Sequence, residues 1–339
     1  MGFPTHLIHL IESLYHEQKA AVRTAGETST WFEVQKGVRQ GCILSPYLFN
    51  IYAENIMRNV KYDETYGKYE SFTIGGNEIP ELRYADDTVI LSNTPEGLEH
   101  LILAVKIHSE EQNLQLNIKK TKIMTTDRTT QQPKIRINGE EIENVTEFEY
   151  LGSVINSRGD CSIETKRRLA MAMQRLNNMK KLWQNTNTSM KIKLLRACIF
   201  PVATYGCESW TITQTMQKKI QAFETRCYRK VLKISWTEKK RNIDILKEIN
   251  TPEGWLMNSI MSRKLKYFGH IKRQGGLESI ILEGMVPGKR GRGRPKRRWT
   301  QDITEALDMS LGEAGALARD RDSFRLAVKR ATFYKGQAT

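Results

Sequence analysis

The spacing of hydrophobic positions changes once along the chain, near residue 160. Before that point short alternating segments predict strands, and helical spacing predicts helices over residues 5–19, 47–60 and 95–112. After that point helical spacing predicts three helices. The first is marked by Leu169, Met173, Leu176 and Trp183, and the second by Ile192, Leu195 and Ile199, with its end at Pro201. The third is marked by Ile220, Phe223, Cys227 and Val231. Further helices are predicted over residues 255–273, 301–309 and 316–330. The pattern predicts an α+β fold with a mixed region (1–156), an all-helical region (157–250) and a helical tail (251–339).

The segment LRYADDTVIL (residues 82–91) is predicted to form a β-hairpin with Asp86 and Asp87 at its turn, because strand-forming residues flank both carboxylates. Adjacent carboxylates repel each other unless a cation lies between them, and hard oxygen ligands suit Mg²⁺ or Mn²⁺. The simpler interpretation is that the two aspartates only form the turn. For an isolated pair of aspartates the turn interpretation is preferred. Other motifs in the chain are needed to support a metal site.

Other segments carry further local signals. In GVRQGCILSP (residues 37–46) two glycines flank Arg39 and Gln40, so that the backbone is able to approach a ligand while these side chains project. Ser45 and Pro46 predict the N-cap and the first residue of the next helix. Residues 114–118 predict a strand, residues 135–142 a hairpin with an Asn-Gly turn, and residues 148–155 a strand broken by Gly152.

Charge is divided unevenly between the two parts of the chain. Residues 1–150 contain 15 Lys and Arg against 22 Asp and Glu, a balance of −7, whereas residues 151–339 contain 38 against 16, a balance of +22. This concentration indicates a polyanionic partner, nucleic acid first and an anionic membrane surface second. No apolar run approaches about 18 residues, and the five cysteines lack C-x-x-C spacing, which favours reduced thiols. We therefore expect a nuclear or cytoplasmic protein that is neither secreted nor membrane-bound.

The densest positive charge lies in PGKRGRGRPKRRW (residues 287–299), where seven of the eleven residues from 288 to 298 are basic. Its Arg-Gly-Arg-Pro core resembles an AT-hook, an extended segment whose arginines lie in the narrow A·T minor groove. The alternative is a solvated basic linker that contacts phosphates without sequence preference, and either form would serve as a nuclear localisation signal. The candidate nucleic-acid-binding residues are Arg290, Arg292, Gly293, Arg294, Pro295, Lys296, Arg297 and Arg298.

Four motifs follow one another along the chain: GVRQGCILSP at 37–46, YADD at 84–87, LNIKKTK at 116–122 and YLGS at 150–153. In order and spacing they resemble four motifs of reverse transcriptases, most closely the non-LTR, LINE-type enzymes of the RTE kind. YGCESW at 205–210 and YFGH at 267–270 extend the resemblance over essentially the whole chain. The resemblance implies a partial polymerase palm, formed by an antiparallel sheet with flanking helices, then a helical thumb and a basic helical tail.

The same resemblance implies roles for individual residues. Asp86 and Asp87 would be the palm carboxylates that bind catalytic Mg²⁺ or Mn²⁺, with Tyr84 beside the primer end. The other implied site residues are Arg39, Gln40 and Gly41 at the template and incoming nucleotide, Lys120 near the leaving pyrophosphate, and Leu151 and Gly152 in the primer grip. One ion would lower the pKa of the primer 3′-hydroxyl and another would stabilise the leaving phosphate. The implied partners are an RNA template, a DNA primer or target and deoxynucleoside triphosphates.

One departure from the family concerns the third carboxylate of the palm. The family takes it from an earlier strand, and the acids upstream of Gly37, which are Glu12, Glu17, Glu27 and Glu33, lack that strand context. Because the fingers are missing as well, we expect a polymerase fragment with little or no activity alone, completed by the upstream part of such an enzyme. The alternative is a non-catalytic nucleic-acid-binding remnant.

Overall fold

The computed structural model describes residues 2–63, 72–126, 132–252, 254–284 and 296–333, and it combines helices with short strand pairs. Its α-helices are α1 (Thr5–Tyr15), α2 (Ser45–Tyr62), α3 (Pro95–Glu111), α4 (Ser162–Asn178), α5 (Thr188–Leu194), α6 (Phe200–Ala203), α7 (Gln214–Leu232), α8 (Asn242–Glu248), α9 (Trp255–Gln274), α10 (Leu277–Leu282), α11 (Trp299–Leu307), α12 (Leu311–Arg319) and α13 (Arg321–Phe333). In the described part of the chain, none of these helices is both long and apolar enough to cross a bilayer. The mixed content agrees with the α+β prediction, and the arrangement as palm, thumb and tail stays a prediction.

The strands of the described residues form two-stranded sheets. They are β1 (Lys19–Ala20), β2 (Arg23–Thr24), β3 (Glu27–Thr28), β4 (Phe32–Glu33), β5 (Thr73–Ile74), β6 (Asn77–Glu78), β7 (Glu81–Tyr84), β8 (Asp87–Ile90), β9 (Lys122–Ile123), β10 (Arg136–Ile137), β11 (Glu140–Glu141), β12 (Glu143–Asn144), β13 (Glu147–Tyr150) and β14 (Ser153–Asn156). All pairs are antiparallel except β9 with β12. Five hairpins close through two-residue turns whose first residue has a positive φ, namely Ala25, Gly75, Ala85, Asn138 and Leu151. This geometry matches the twist of the flanking strands.

The first of two compact units comprises Met1–Tyr69, Glu81–Ile90 and Glu96–Leu116. Its buried apolar cluster joins α2 to α3 and is formed by Val60, Leu101, Ala104 and Val105. Helix α1, in contrast, buries none of its residues. Its side chains include Leu10, which is 64% exposed, and Trp31 near β4 is 70% exposed. The unit therefore has a small core and a large exposed apolar surface.

His108 on α3 is paired with two carboxylates. Its Nε2 lies 2.7 Å from Asp63 Oδ2 at the end of α2, and its Nδ1 lies 3.0 Å from Glu111 Oε2. Burial disfavours the charged imidazole, but the hydrogen bonds to both carboxylates raise the pKa of His108 above its usual value. The contact with Asp63 joins the ends of α2 and α3.

The second unit comprises Glu70–Pro80, Leu91–Pro95 and Asn117–Thr339. Its larger apolar cluster is formed mainly by α4 to α9, and its smaller one by the second half of α9 with α11, α12 and α13. Helix α9 supplies Leu256 and Ile260 to the larger cluster and Leu265 and Phe268 to the smaller one. The first half of α9 thus belongs to the larger cluster and its second half to the smaller one. The predicted domain boundaries after residues 156 and 250 stay predictions.

Several local expectations differ from the structure. Ser45 is the first residue of α2 rather than its N-cap, and its hydroxyl donates to the Arg39 carbonyl at 2.6 Å. Residues 114–118 alternate in burial, but they form no strand with the described residues. The helix continues beyond Pro201, because a π-helical turn over Leu195–Ile199 accommodates the missing proline N–H.

The described part of the tail contains five helices where three were predicted, because α10 was not predicted and two helices, α12 and α13, take the place of the one predicted over residues 316–330. Asp320 separates α12 from α13, and its carboxylate accepts hydrogen bonds from the Asp322 N–H at 3.1 Å and from the Ser323 hydroxyl at 2.5 Å. An aspartate in this position satisfies the free N–H groups of a new helix. The charged sequence here predicted one continuous helix because capping and exposed helical positions use the same residue types.

Candidate functional site

Asp86 and Asp87 lie at the tip of the hairpin formed by β7 and β8, as predicted. Ala85 (φ 53°) and Asp86 form the turn, and Asp87 begins β8 opposite Tyr84. Both carboxylates are exposed, and Tyr84 is 67% exposed. Because directly paired residues share one face of a hairpin, Asp87, Tyr84 and the next pair, Leu82 with Val89, lie on the same face. This open face therefore presents an aspartate beside a tyrosine.

The opposite face of the hairpin packs against α2 through an ionic network. Arg83 lies 2.5 Å from Glu54 and 3.2 Å from Glu81, and Arg58 donates to Glu54 at 2.9 Å. Hydrogen bonds from Arg83 and Arg58 hold the pKa of Glu54 below its usual value, whereas burial raises the pKa of Glu81. These acids are neutralised by arginines, so they anchor the hairpin and are not free metal ligands.

The two carboxylates at the hairpin tip are the right kind of ligand for a hard divalent cation, but two side chains are fewer than such a site needs. Carboxylate oxygens are the ligands that Mg²⁺ and Mn²⁺ prefer. However, the residues that the structure describes contain no group of three His, Cys, Asp or Glu side chains able to hold a metal ion. Asp86 and Asp87 are thus two candidate ligands of such an ion, and the expectation that the third carboxylate is missing stays a prediction.

The loop before α2 belongs to the same unit as the hairpin. Arg39 does not project freely, since its guanidinium donates to the Leu14 carbonyl at 3.0 Å and lies 5.9 Å from the centre of the Tyr15 ring. Gln40 and Gly41 are exposed. The Ser45 hydroxyl closes the loop on the Arg39 carbonyl. The loop is therefore held against the end of α1, with its amide side chain facing solvent.

The predicted lysine near the leaving group, Lys120, belongs to the second unit. It lies in an exposed turn, where its backbone N–H donates to Asn117 Oδ1 at 3.1 Å. The nearby Lys122 is in β9 and forms an ion pair with Glu143. Lys120 is thus the more accessible cation of the two, and its role stays a prediction.

The predicted primer grip is the two-residue turn between β13 and β14. Leu151 (φ 48°) and Gly152 (φ 76°) form this turn, and its carbonyl oxygens accept hydrogen bonds from other parts of the chain. The Gly152 carbonyl accepts from Arg167 at 3.2 Å and from Arg168, and the Leu151 carbonyl accepts from the Tyr205 hydroxyl at 3.2 Å. The turn is therefore fixed to α4 and to the segment after α6.

A buried carboxylate organises the arginines at this turn. Glu164 accepts hydrogen bonds from Arg168 Nε at 2.6 Å, the Val154 N–H at 2.9 Å and Arg167 at 3.2 Å. Burial alone would raise the pKa of Glu164, but these bonds hold it below its usual value. The Arg168 guanidinium also lies 4.4 Å from the centre of the Tyr205 ring. An open cavity of about 550 Å³ adjoins Arg168 and Tyr205.

The predicted basic loop is only partly within the described residues. Arg290, Arg292, Gly293, Arg294 and Pro295 lie outside them. Of the rest, Lys296 donates to the Arg158 carbonyl at 2.9 Å, Arg297 pairs with Asp302 and Glu305, and Arg298 is exposed. Trp299 packs inside the unit, since its Nε1 donates to the Glu208 carbonyl at 2.8 Å. Within residues 296–298 of the loop, Lys296 and Arg298 are exposed and Arg297 is partly buried, and nucleic-acid binding by the loop stays a prediction.

Comparison with known proteins finds a similar family and several relatives. A model described as reverse transcriptase (RNA-dependent DNA polymerase) matches residues 1–155, a range that contains the Asp86 hairpin and the turn at 151–152. The RNA-directed DNA polymerase from mobile element jockey of Drosophila melanogaster is 22% identical over 319 residues, which cover 89% of this chain and 33% of that protein. Residues 1–155 are thus similar to reverse transcriptases, and the chain is similar to polymerases of non-LTR retrotransposable elements.

Two other relatives show how much of longer and shorter proteins the chain spans. The Pol polyprotein from the type-1 retrotransposable element R2 of Nasonia vitripennis is 28% identical over 184 residues, 51% of this chain and 17% of that protein. A putative uncharacterised transposon-derived protein of Caenorhabditis elegans is 24% identical over 279 residues, 76% of this chain and 98% of that protein. The chain thus spans a third or less of the polymerases from jockey and R2.

The sequence did not reveal the residues that hold the site in place. Arg83 with Glu54 supports the carboxylate hairpin, and Glu164, Arg168 and Tyr205 support the turn of the predicted primer grip. A partial signal was present, because Glu164 and Arg168 are four residues apart on a predicted helix, where opposite charges meet. The contact between residues 151 and 205 left no such signal, since it joins distant parts of the chain.

Proposed function

We propose that this chain provides part of the active site of an RNA-directed DNA polymerase. In this site Asp86 and Asp87 hold Mg²⁺ or Mn²⁺, and Tyr84 on the same hairpin contacts the primer end. The observation that carries the proposal is the exposed pair of carboxylates at a hairpin tip within residues 1–155, the range matched by the family model. Such ions supply electrostatic stabilisation during nucleotidyl transfer.

We further propose that a polypeptide segment outside this sequence completes the site by supplying a third carboxylate. Two observations support this. The described residues contain no group of three side chains able to hold a metal ion, and α1 carries three apolar side chains, Leu7, Ile8 and Leu10, that are each more than 40% exposed. Exposed apolar side chains that lie together mark an interaction site. The partner proposed for α1 is the upstream half of a reverse transcriptase domain.

The remaining residues would bind the substrates. Gln40 and Gly41 in the exposed loop before α2 contact the template and the incoming deoxynucleoside triphosphate, and Lys120 supplies positive charge to the leaving pyrophosphate. The turn of Leu151 and Gly152 contacts the primer strand. The balance of +22 over residues 151–339 supports binding of an RNA template and a DNA primer through their phosphates.

Primer extension tests the proposal directly. The purified chain is assayed on an RNA template with a DNA primer and Mg²⁺ or Mn²⁺, alone and after mixing with the upstream half of the jockey reverse transcriptase domain. We expect binding of the duplex without extension by the chain alone, and extension by the mixture. Asp86→Asn and Asp87→Asn are each expected to reduce extension by about 10³-fold or more, as loss of an ion ligand does in such sites.

The chain itself offers a matched control. Glu27 is an exposed acid that follows a two-residue hairpin turn and begins β3, as Asp87 begins β8. Glu27→Gln removes the same charge at the same kind of position, and it should leave extension within about twofold of the unmodified mixture. Extension by the mixture that survives both aspartate substitutions would contradict the proposed role of the hairpin. Steeply salt-dependent binding with no extension under any condition would instead support a binding protein.

A further inference from the structure

The motif YGCESW at residues 205–210 has no role in the function proposed so far, yet it packs against the predicted primer grip. The Tyr205 hydroxyl donates to the Leu151 carbonyl at 3.2 Å. A Cβ atom on Gly152 would lie 3.5 Å from Cε1 of the Tyr205 ring, so the glycine and the ring are in contact. Gly206 has a φ of 66°, and a Cβ atom there would lie 2.9 Å from Ser153 Oγ. A glycine is required at position 206 by both its conformation and this close approach.

The other end of the same motif is fixed to the C-terminal helices. The Glu208 carboxylate accepts a hydrogen bond from Arg263 Nε of α9 at 2.8 Å, and its backbone carbonyl accepts one from Trp299 Nε1 of α11. The Trp210 carbonyl accepts from the buried Lys264 of α9. One short segment therefore joins the turn at 151–152 to the helices α9 and α11.

We propose that Tyr205 and Gly206 are positioning residues of the reverse transcriptase reaction, which hold the turn of Leu151 and Gly152 in the place that aligns the primer terminus. This role rests on the proposed function, since it requires that the turn contacts the primer strand. Misplacement of a reacting group by about 1 Å lowers rates by about 10²-fold. The Tyr205 hydroxyl carries no charge, and affinity for a nucleic-acid backbone comes mainly from charged groups, so we expect loss of this contact to change the position of the primer end more than the affinity for the duplex.

Tyr205→Phe is the most selective variant, because it removes one hydroxyl and keeps the ring beside Arg168. The full chain is mixed with an RNA–DNA duplex that carries 2-aminopurine at the primer 3′ end, whose fluorescence reports stacking of the terminal base. We expect the variant to bind the duplex within about twofold of the unmodified affinity while the terminal fluorescence shifts towards that of the free duplex. Amide hydrogen exchange at residues 151–153 of the free protein should become about fivefold faster, as loss of one hydrogen bond predicts.

Three further variants separate positioning from general destabilisation. Tyr62→Phe removes an exposed tyrosine hydroxyl from α2, in the first unit, and should leave the terminal fluorescence unchanged. Gly206→Ala should shift that fluorescence more than Tyr205→Phe, because the added methyl group meets Ser153 Oγ. Ser153→Ala in the same chain removes the clashing atom and should restore part of the signal, the rest being lost to the positive φ of residue 206. A merely structural role would not produce this rescue of the primer signal.

The possible failures are distinguishable. If the unmodified chain does not bind the duplex, the proposed function fails, and the positioning role fails with it. If the chain binds the duplex but Tyr205→Phe and Gly206→Ala give the terminal fluorescence of the unmodified protein, the positioning role is wrong and the proposed function stands. Exchange at residues 151–153 that is unchanged in Tyr205→Phe would show that the hydroxyl does not hold the turn.

Discussion

The ion pair between Lys264 and Asp302 is fully buried. Disrupting it should lower the free energy of unfolding by a large amount that depends on pH. Lys264 of α9 also donates to the Trp210 carbonyl, and Asp302 of α11 accepts from the Ile212 N–H and from Arg297 Nε, each at 2.8 Å. Both side chains of the pair are 0% exposed. Burial lowers the pKa of Lys264, and the carboxylate of Asp302 opposes that effect.

Asp302→Asn keeps the size of the side chain and an acceptor oxygen, but removes the charge that compensates Lys264. The penalty has an upper limit, because the buried lysine is able to release its proton. Deprotonating a lysine with a usual pKa of 10.5 costs about 4.8 kcal/mol at pH 7, since each pH unit corresponds to about 1.36 kcal/mol. Loss of one partner of a buried pair costs roughly 3–5 kcal/mol. We therefore expect the variant to lose about 3–5 kcal/mol of unfolding free energy at pH 7.

The pH dependence gives the sharper test. In the variant the folded state holds a lysine with a lowered pKa, whereas the unfolded chain still binds that proton. The unfolded state then binds more protons, so stability rises with pH by up to about 1.36 kcal/mol per pH unit below the pKa of the unfolded lysine. Urea unfolding of the full chain at pH 7, 8 and 9, followed by tryptophan fluorescence, measures this slope. Lys264→Met combined with Asp302→Asn should remove the slope and recover much of the stability. A loss below about 1 kcal/mol in Asp302→Asn, or a loss that is independent of pH, would refute the reasoning.

Three further predictions follow from other parts of the chain. Because the pKa of His108 is raised in the folded state, its contribution to the free energy of unfolding is complete below pH 6.5 and is lost as the pH rises through that higher pKa. Asp63→Asn should flatten this pH dependence and lower the free energy of unfolding by about 1 kcal/mol at pH 6, as measured by urea unfolding. Hydrogen bonding to the Leu44 N–H lowers the pKa of the Cys42 thiol. Burial raises the pKa values of the Cys207 and Cys227 thiols to about 12. Cys42 should therefore be alkylated first in a peptide-mapped time course, and a primer–template duplex should slow its reaction if the loop contacts nucleic acid. Replacing both Arg292 and Arg294 by Ala should reduce binding to A·T-rich relative to G·C-rich duplex if the basic loop is an AT-hook; an unchanged ratio in competition binding would favour the non-specific linker.

Local sequence predicted the hairpin turns better than it predicted the surrounding fold. The hairpin of Asp86 and Asp87 depends on strand-forming residues and a two-residue turn, which are adjacent in sequence. The Asn138 turn was predicted for the same reason. Residues 114–118 have the alternation of a strand but lack a described partner, and a strand exists only when another segment pairs with it.

The contacts that fix the site could not be predicted in this way. The bond from Tyr205 to Leu151 joins residues that are 54 positions apart, and that from Trp299 to Glu208 joins residues 91 apart. Neither contact follows from hydrophobic period or from turn chemistry. The break between α12 and α13 was missed for another reason, since aspartate is equally suited to a cap and to an exposed helical position.

Helix α9 has a consequence for how the second unit unfolds. Its 20 residues extend over about 30 Å, and each half belongs to a different apolar cluster. Because a helix unwinds cooperatively, unfolding one cluster also removes the α9 side chains that pack in the other. The two clusters should therefore share one denaturation transition, and a protease that cuts within α9 would release neither as a stable fragment. A destabilising change near α11 would then lower the thermal stability of α4 and of the turn it holds, although these elements are far apart in sequence.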